Sequence, residues 1–213
     1  MTNPIYVGLK SGGGCRLEVS DFAKVSVASN VIMGDESDKA HTSSNRVVVC
    51  NGGELSASKL LVRGNDSEIA ISNGLVTASA GIVLGTNSVI SVAGQYALLE
   101  SVSSGMDFGY GSKLRMAIPK EGFTDRSGNP RAAVSIVGDV VLDDALEIDV
   151  EVGEFTKRGS AVDEAELLYV STGISDSLLS KVTIIGENCR IKRSADGKTL
   201  KVAKSNGLVL FVR

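Results

Sequence analysis

The sequence predicts an all-β protein built as a parallel β-solenoid, and three observations lead to this prediction. Glycine is abundant and proline is scarce, with 24 Gly and 3 Pro among 213 residues. The chain holds 26 Val and 13 Ile, whereas aromatic residues make up only 4%. Branched residues of this kind favour strands, and glycines favour tight turns. The third observation, an internal repeat of about 20 residues, predicts how the strands are arranged.

Glycines recur in two series that keep the same spacing. The first series is Gly53, Gly74 and Gly94, and the second is Gly64, Gly85 and Gly105. Each glycine of the first series precedes a short alternating segment, at Leu55/Ala57, Val76/Ala78 and Tyr96/Leu98. These segments are predicted to be strands with one buried face, because alternate residues of a strand point to the same side.

An earlier copy of the repeat aligns when Leu17 and Val19 are placed over Val47 and Val49. The polar insert Asp35–Ser44 accounts for the extra length of this copy. One copy cannot bury its apolar face alone, but copies stacked in register bury it continuously. The alternative is an antiparallel β-sandwich, which the hairpin signals Asn73-Gly74 and Asn206-Gly207 would suit.

The whole chain, residues 1–213, is predicted to form one β-solenoid domain. Regular coils are expected over residues 12–118. The segment 119–131 holds two of the three prolines and two glycines, and we expect it to be a loop inserted in a coil. Residues 132–213 are expected to form terminal coils and a capping segment, because an open parallel edge would promote aggregation.

Strand-like segments recur near the C-terminus. Leu167–Val170 is followed by Gly173, Gly197–Val202 has the pattern Gly-x-x-Leu-x-Val, and Gly207–Val212 is a looser copy. Together with Ala145–Val150, they resemble the passenger regions of bacterial autotransporter-type surface proteins. The resemblance covers most of residues 13–213 and implies a single-stranded right-handed parallel β-helix. It also implies a non-enzymatic, adhesin-like passenger or stalk, part of a longer bacterial protein, that is secreted or exposed on the cell surface.

Charge and hydropathy exclude several classes of partner. The net charge is −3 at pH 7, so the chain has no electrostatic reason to bind nucleic acid. No run of about 18 apolar residues is present, so we expect no direct insertion of this segment into a membrane. We also expect no cofactor. The expected partner is a host or environmental glycan, or a surface protein.

The candidate binding residues lie in or beside the predicted inserts, since loops on a rigid scaffold often carry binding. Tyr110 and Phe123 are the aromatic pair best placed for a shallow sugar contact. Arg126, Asn129 and Arg131, in the insert Pro119–Arg131, complete the predicted set. The insert Asp35–Ser44 is expected to make further contacts.

The alternative function is a β-helix polysaccharide lyase or hydrolase acting on acidic glycans. Its best acidic cluster is Asp139–Glu151, which we interpret as the solvated, charged outer face of an edge strand. Asp107 and Asp139 could meet on adjacent coils as a carboxylate pair. His41 is the single histidine, so no catalytic residue and no metal site is predicted. Cys15, Cys50 and Cys189 are expected to be small buried thiols.

Overall fold

The structure is a computed structural model, and it describes residues 3–8, 13–34, 43–157, 159–160 and 162–205. These residues form β-strands, numbered β1–β21 in chain order, and one short helix, α1. The protein is therefore all-β in the part described, as the sequence predicts. The helix covers only five residues, Asp176–Ser180. The predicted strand Gly207–Val212 lies outside the described residues.

The strands form three sheets, and each sheet is built almost entirely from every third strand. The first has the order β1 (Ile5–Val7), β4 (Val31–Met33), β7 (Leu60–Val62), β10 (Ile82–Val83), β13 (Met106–Asp107) and β16 (Val140–Val141). The second has the order β2 (Arg16–Val19), β5 (Arg46–Cys50), β8 (Glu68–Ser72), β11 (Val89–Ala93), β14 (Lys113–Ala117), β17 (Glu147–Glu151) and β19 (Val182–Ile185). The third has the order β3 (Lys24–Ser26), β6 (Glu54–Ala57), β9 (Leu75–Ala78), β12 (Leu98–Ser101), β15 (Val134–Ile136), β18 (Glu164–Val170), β21 (Thr199–Lys204) and β20 (Cys189–Arg193).

Pairing between the strands is parallel except at one end of the third sheet. There, β21 pairs antiparallel with both β18 and β20. Because consecutive strands enter different sheets in turn, each set of three, from β2–β4 to β14–β16, forms one unit that lies on the next. This connectivity is consistent with a β-solenoid, and the parallel ladders do not agree with the alternative of an antiparallel sandwich.

The spacing between equivalent residues varies more than the sequence repeat predicts. In the middle of the second sheet, Glu68 pairs with Val89, which keeps the spacing of the glycine series. Near the two ends the spacing is wider, since Arg16 pairs with Arg46 and Lys113 pairs with Glu147. The longer units contain the connections that include residues 35–42, 119–131 and 152–163, and the strands remain in register across all of them.

The structure corrects the predicted register of the third glycine copy. Leu75 pairs with Leu98, whereas equivalence of Gly74 and Gly94 would pair it with Gln95. Leu99 points into the core, whereas Tyr96 is 41% exposed and Leu98 is half-buried. The prediction that Tyr96 and Leu98 point inward was wrong, because the corner before β12 has more residues than the corner before β9. The spacing of the glycines does not reveal this difference in corner length.

Apolar side chains from the three sheets meet in one continuous core that extends from Val7 to Val202. The second sheet shows how this core is built. One inward position is occupied, in pairing order, by Val47, Ile69, Ile90, Leu114 and Ile148. Each of these side chains is at most 1% exposed, so every unit buries its apolar face on the next.

The regular order of strands ends after β18, where α1 precedes β19, the last parallel strand of the second sheet. Ser175 caps α1 by accepting a hydrogen bond from the backbone N–H of Leu178, and Leu178 packs into the core. Strands β20 and β21 then extend the third sheet. Within the described residues, no helix has the length and apolar character needed to cross a membrane.

A pair of neighbouring substitutions tests this register. We expect Leu99→Ala to lower the free energy of unfolding by about 2–5 kcal/mol, because Leu99 is fully buried and its loss leaves a cavity. We expect Leu98→Ala to cost less than about 1.5 kcal/mol, because Leu98 faces outward. Urea unfolding followed by circular dichroism measures both. Equal losses, or a larger loss for Leu98→Ala, would contradict the register.

Candidate functional site: the insert groove

A groove on the outer surface runs along the third sheet beside the insert 119–131, and we call it the insert groove. It consists of three adjoining hollows. The first has a volume of about 450 Å³ and is lined by Asp21, Phe22, Asn51, Gly52, Asn73, Tyr96 and Arg126. This hollow lies at the corner between the second and third sheets. A volume of this size is within the range of small-molecule sites.

The corner is shaped by residues in the left-handed backbone conformation. Asp21, Asn51 and Asn73 have φ values of 54°, 51° and 53°. Asn and Asp tolerate this conformation better than other non-glycine residues. The Asn73 side-chain oxygen accepts a hydrogen bond of 3.2 Å from the N–H of Tyr96, which ties the corner of one unit to the next.

Phe22 projects from this corner with 73% of its surface exposed. Its φ is 62°, which is unusual for a bulky residue, and strain of this kind often occurs at functional sites. The equivalent residue in the next unit is Gly52, with φ 81°. A Cβ atom at Gly52 would lie 2.6 Å from the Phe22 ring, so glycine lets the ring approach the backbone.

The insert folds into a compact turn whose centre is Asp125. One carboxylate oxygen of Asp125 accepts hydrogen bonds from the N–H groups of Ser127 and Asn129, at 2.8 and 2.9 Å. The other oxygen accepts from the Asn129 side-chain amide at 2.9 Å. These bonds, above all the one from the Asn129 side chain, lower the pKa of Asp125 below its ordinary value.

Two further contacts fix the insert against the sheets. Phe123 is 2% exposed and belongs to the hydrophobic core. The N–H of Thr124 donates to the carbonyl of Gln95, and the Gln95 side-chain amide donates to the Thr124 hydroxyl, at 2.9 and 3.1 Å. The insert is therefore attached to the scaffold and forms one wall of the groove.

Arg126 extends from the insert across the first hollow. Its guanidinium lies 5.9 Å from the centre of the Phe22 ring, a cation–π distance. It also lies 3.3 Å from the Gly52 carbonyl, to which it donates, and 3.5 Å from a carboxylate oxygen of Glu54. Arg126 thus connects the insert to a unit that lies far earlier in the chain.

Arg131 lies at the point where the second and third hollows meet. It donates a hydrogen bond of 2.8 Å to the Tyr96 carbonyl. Burial lowers the pKa of the guanidinium, and the carboxylates of Asp125 and Glu100 oppose that shift. Its Nε atom is buried and has no hydrogen-bond partner within the described part of the chain.

The second and third hollows extend the groove along the sheet. The second, of about 210 Å³, shares Asn73, Tyr96 and Arg126 with the first. The third, of about 260 Å³, shares Arg131 with the second and is also lined by Leu98, Glu100, Ala132, Ser135, Glu166 and Tyr169. The groove therefore continues from the Phe22 corner to β18.

The structure separates the five residues predicted as a binding set. Arg126 and Arg131 line the groove, and Asn129 shapes the turn that presents Arg126. The role predicted for Phe123 needs correction, because burial in the core leaves its ring inaccessible to a ligand. Tyr110 is 65% exposed, but it lines none of the three hollows and lies in another corner, where its carbonyl accepts from the N–H of Asn87.

Sequence reasoning missed Phe22, Tyr96, Asn51 and Asn73. One signal was available for Phe22. The alignment of the first two copies places this aromatic residue over Gly52, which marks a turn position. An aromatic residue at a turn position is poorly placed to enter the core, so Phe22 was the stronger candidate for an exposed ring.

The residues considered for catalysis are distributed over different surfaces. Glu147 and Asp149 lie on the outer face of the second sheet, paired with Lys113 and Arg115. The outward position of these two residues agrees with our interpretation, but β17 is not an edge strand, because it pairs with both β14 and β19. Asp107 and Asp139 both line a separate hollow of about 390 Å³ on the first sheet. In the described residues, no group of three or more His, Cys, Asp or Glu side chains could hold a metal ion.

The cysteines are more exposed than the sequence predicts, and the single histidine lies outside the described residues. Cys15 is exposed, and Cys50 and Cys189 are partly exposed, so the prediction of buried thiols was wrong. All three carry thiols rather than a disulfide, and Cys189 packs against the margin of the core. His41 and most of the insert Asp35–Ser44 lie outside the described residues.

Comparison with known proteins gave no relative: no protein-family model, no curated protein and no solved structure matches this chain.

Two substitutions at Phe22 test the strain in the corner. Both Phe22→Gly and Phe22→Ala remove the ring, but only glycine adopts a positive φ without a steric penalty. We expect Phe22→Gly to be more stable than Phe22→Ala by about 1 kcal/mol. Urea unfolding of the two variants measures the difference. If the alanine variant is equally stable or more stable, residue 22 does not hold the left-handed conformation.

The pKa of Asp125 tests the turn in the insert. Because the folded-state pKa is lowered, the ionised carboxylate stabilises the turn fully above about pH 3.9. This stabilisation is lost as the pH falls through the lower folded-state pKa. We expect an NMR titration of the Asp125 carboxyl carbon to show a midpoint below about 3.9 that moves upward in Asn129→Ala. The same midpoint in both proteins would refute the proposed hydrogen bonding.

Proposed function

We propose that this chain is a single-stranded right-handed β-helix that serves as an adhesin-like binding passenger. In this proposal it is displayed on a bacterial surface or secreted, as part of a longer protein, and it has no enzymatic activity. The three sheets provide a rigid stack, and the insert groove contacts the ligand, a glycan. The alternation of strands among three parallel sheets supports the architecture.

One observation carries the binding proposal. The insert is anchored by Phe123 and brings Arg126 over an exposed, strained Phe22, beside a second exposed aromatic residue, Tyr96. Exposed aromatic rings beside polar side chains in a walled groove are typical of sites that bind amphipathic ligands such as sugars. A stalk that served only as a spacer would have no use for this arrangement.

The enzymatic alternative has one observation in its favour, which is that Asp107 and Asp139 line the same hollow. That hollow also contains Lys59, but its wall is largely apolar, with Ile82, Val83, Met106 and Val141 among its residues. The binding proposal fits better, because two exposed aromatic residues, Phe22 and Tyr96, line the insert groove, whereas the residues that line the Asp107/Asp139 hollow include no aromatic side chain.

The groove is tested by retention of the purified chain on immobilised neutral and acidic glycans. We expect Phe22→Gly and Tyr96→Ala each to reduce retention about tenfold, because each removes an exposed ring from the groove. Tyr110→Ala is the matched control, since it removes an exposed ring from another corner, and we expect it to change retention less than about twofold.

Three outcomes would count against the proposal. Retention that is unaffected by Phe22→Gly and Tyr96→Ala would exclude the groove. Absence of retention on every glycan would leave the stalk without a glycan-binding role. New reducing ends or unsaturated products, formed in the presence of Ca²⁺ and abolished by Asp107→Asn or Asp139→Asn, would establish an enzyme and overturn the non-enzymatic assignment. Deleting the whole insert is unsuitable, because it would also remove Phe123 from the core.

A further inference from the structure

We infer that the insert groove binds an uncharged linear polysaccharide whose chain crosses the strands of the third sheet. This inference rests on the proposed function and names the ligand class for the same groove. Its basis is the length of the groove, the spacing of its aromatic and hydroxyl groups, and the balance of charge along its lining.

The groove has the length of a polymer site. Its lining comes from six successive units, the five three-strand units and the unit that contains β17 and β18, from Phe22 at one end to Tyr169 at the other. Strands in a sheet lie about 4.8 Å apart, so five such steps span about 24 Å. A single sugar ring would occupy only a fraction of this length, whereas several linked sugars would fill it.

Aromatic side chains lie at intervals along this length. Phe22 belongs to the first of the six units, Tyr96 to the fourth and Tyr169 to the sixth. Phe22 is 73% exposed, Tyr96 is 41% exposed and Tyr169 is half-buried. The apolar face of a sugar ring packs on an aromatic face, and rings placed at intervals suit a ligand that repeats.

A row of hydroxyl groups follows the same direction on the outer face of the third sheet. In register, the row contains Ser26, Ser56, Thr77, Glu100, Ser135, Tyr169 and Thr199. Glu100 is the one member of this row without a hydroxyl. Three members of the row, Glu100, Ser135 and Tyr169, line the third hollow. A hydroxyl both donates and accepts hydrogen bonds, as the hydroxyls of a sugar do, so the Ser135 and Tyr169 hydroxyls offer matched partners at this end of the groove.

Half of the charged groups along the groove are in ion pairs, and acids outnumber bases in its lining. Four carboxylates and two guanidinium groups line it: Asp21, Glu54, Glu100, Glu166, Arg126 and Arg131. Arg126 lies 3.5 Å from Glu54, which also pairs with Lys24 at 2.8 Å, and Glu166 pairs with Lys201 at 2.8 Å. A polyuronate would bring further negative charge to a lining with more acids than bases. The charge balance therefore favours an uncharged chain.

A peptide ligand fits this surface less well. Extended peptides usually bind to a sheet by adding a strand at an open edge. The strands beneath the groove, β6, β9, β12 and β15, each pair with a strand on both sides, so their backbone groups offer no edge. Recognition must come from side chains on a sheet face, which suits stacking and hydroxyl contacts.

Isothermal titration calorimetry of the intact 213-residue chain tests the inference directly. The probes are hexasaccharides of mannose, xylose, β-1,4-linked glucose and α-1,4-linked glucose, with hexamers of galacturonate and mannuronate as the acidic counterparts. We expect at least one neutral hexasaccharide to bind at least about tenfold more tightly than either uronate, and more tightly than its own disaccharide. We expect an increase in salt concentration to change the neutral affinity less than about twofold.

Two variants separate stacking from charge. We expect Tyr169→Ala to weaken the neutral hexasaccharide about five- to tenfold, because it removes the ring at the far end of the groove. Arg126→Met keeps a long side chain beside Phe22 but removes the charge, and we expect it to weaken binding less than about threefold. Tyr110→Ala remains the control and should leave the affinity unchanged. Thermal unfolding of each variant confirms that it is folded.

Different results would contradict the inference and the proposed function. Tighter binding of a uronate, or a loss of most binding in Arg126→Met, overturns the uncharged ligand and leaves the binding groove standing. Neutral binding that survives Tyr169→Ala and Tyr96→Ala unchanged overturns the path across the third sheet. Binding of none of the probes overturns the inference, and retention on the immobilised glycans then decides separately whether the groove binds any glycan.

Discussion

In-register parallel pairing of the strands is the constraint on which the rest of this structure depends. Each inward side chain packs on the side chain at the same position of the next unit, as Ile69 packs between Val47 and Ile90. If one strand shifted its pairing by a single residue, the inward apolar side chains of that strand would point outward. Changes in length are therefore confined to the connections, and this explains how units of very different length coexist with unbroken ladders.

Because the strands are constrained, variation in side chains and in length accumulates where the chain turns. The Phe22 corner and the insert 119–131 are the two clearest examples, and they meet at Arg126. Neither element makes a groove alone. The corner supplies the exposed ring of Phe22, together with Gly52, which lets that ring approach the backbone of the next unit. The insert supplies a wall of the groove. Phe22 and Arg126 are far apart in the sequence, and the stacked units between them bring the two side chains into contact.

The sequence was sufficient to predict strands, their parallel stacking and the place of the insert, because these follow from local composition and periodicity. It did not give the register after Gly94, since glycine spacing does not reveal how many residues a corner holds. Nor could it show that Phe123 is buried and Phe22 exposed. An insert has no alternating pattern from which to infer an inward face, and the identity of its neighbours depends on contacts with units far away in the chain.

The strain at Phe22 is tolerable because of where it lies. A bulky residue in the left-handed conformation costs about 1–3 kcal/mol. In a stacked fold, this cost stays within one corner, because the strands on either side are held by ladders and by a core that runs through many units. In a smaller domain, the same cost would be a large part of the total free energy of unfolding. The stack thus allows an aromatic ring to be held outward at a corner, where its apolar surface is available to a ligand.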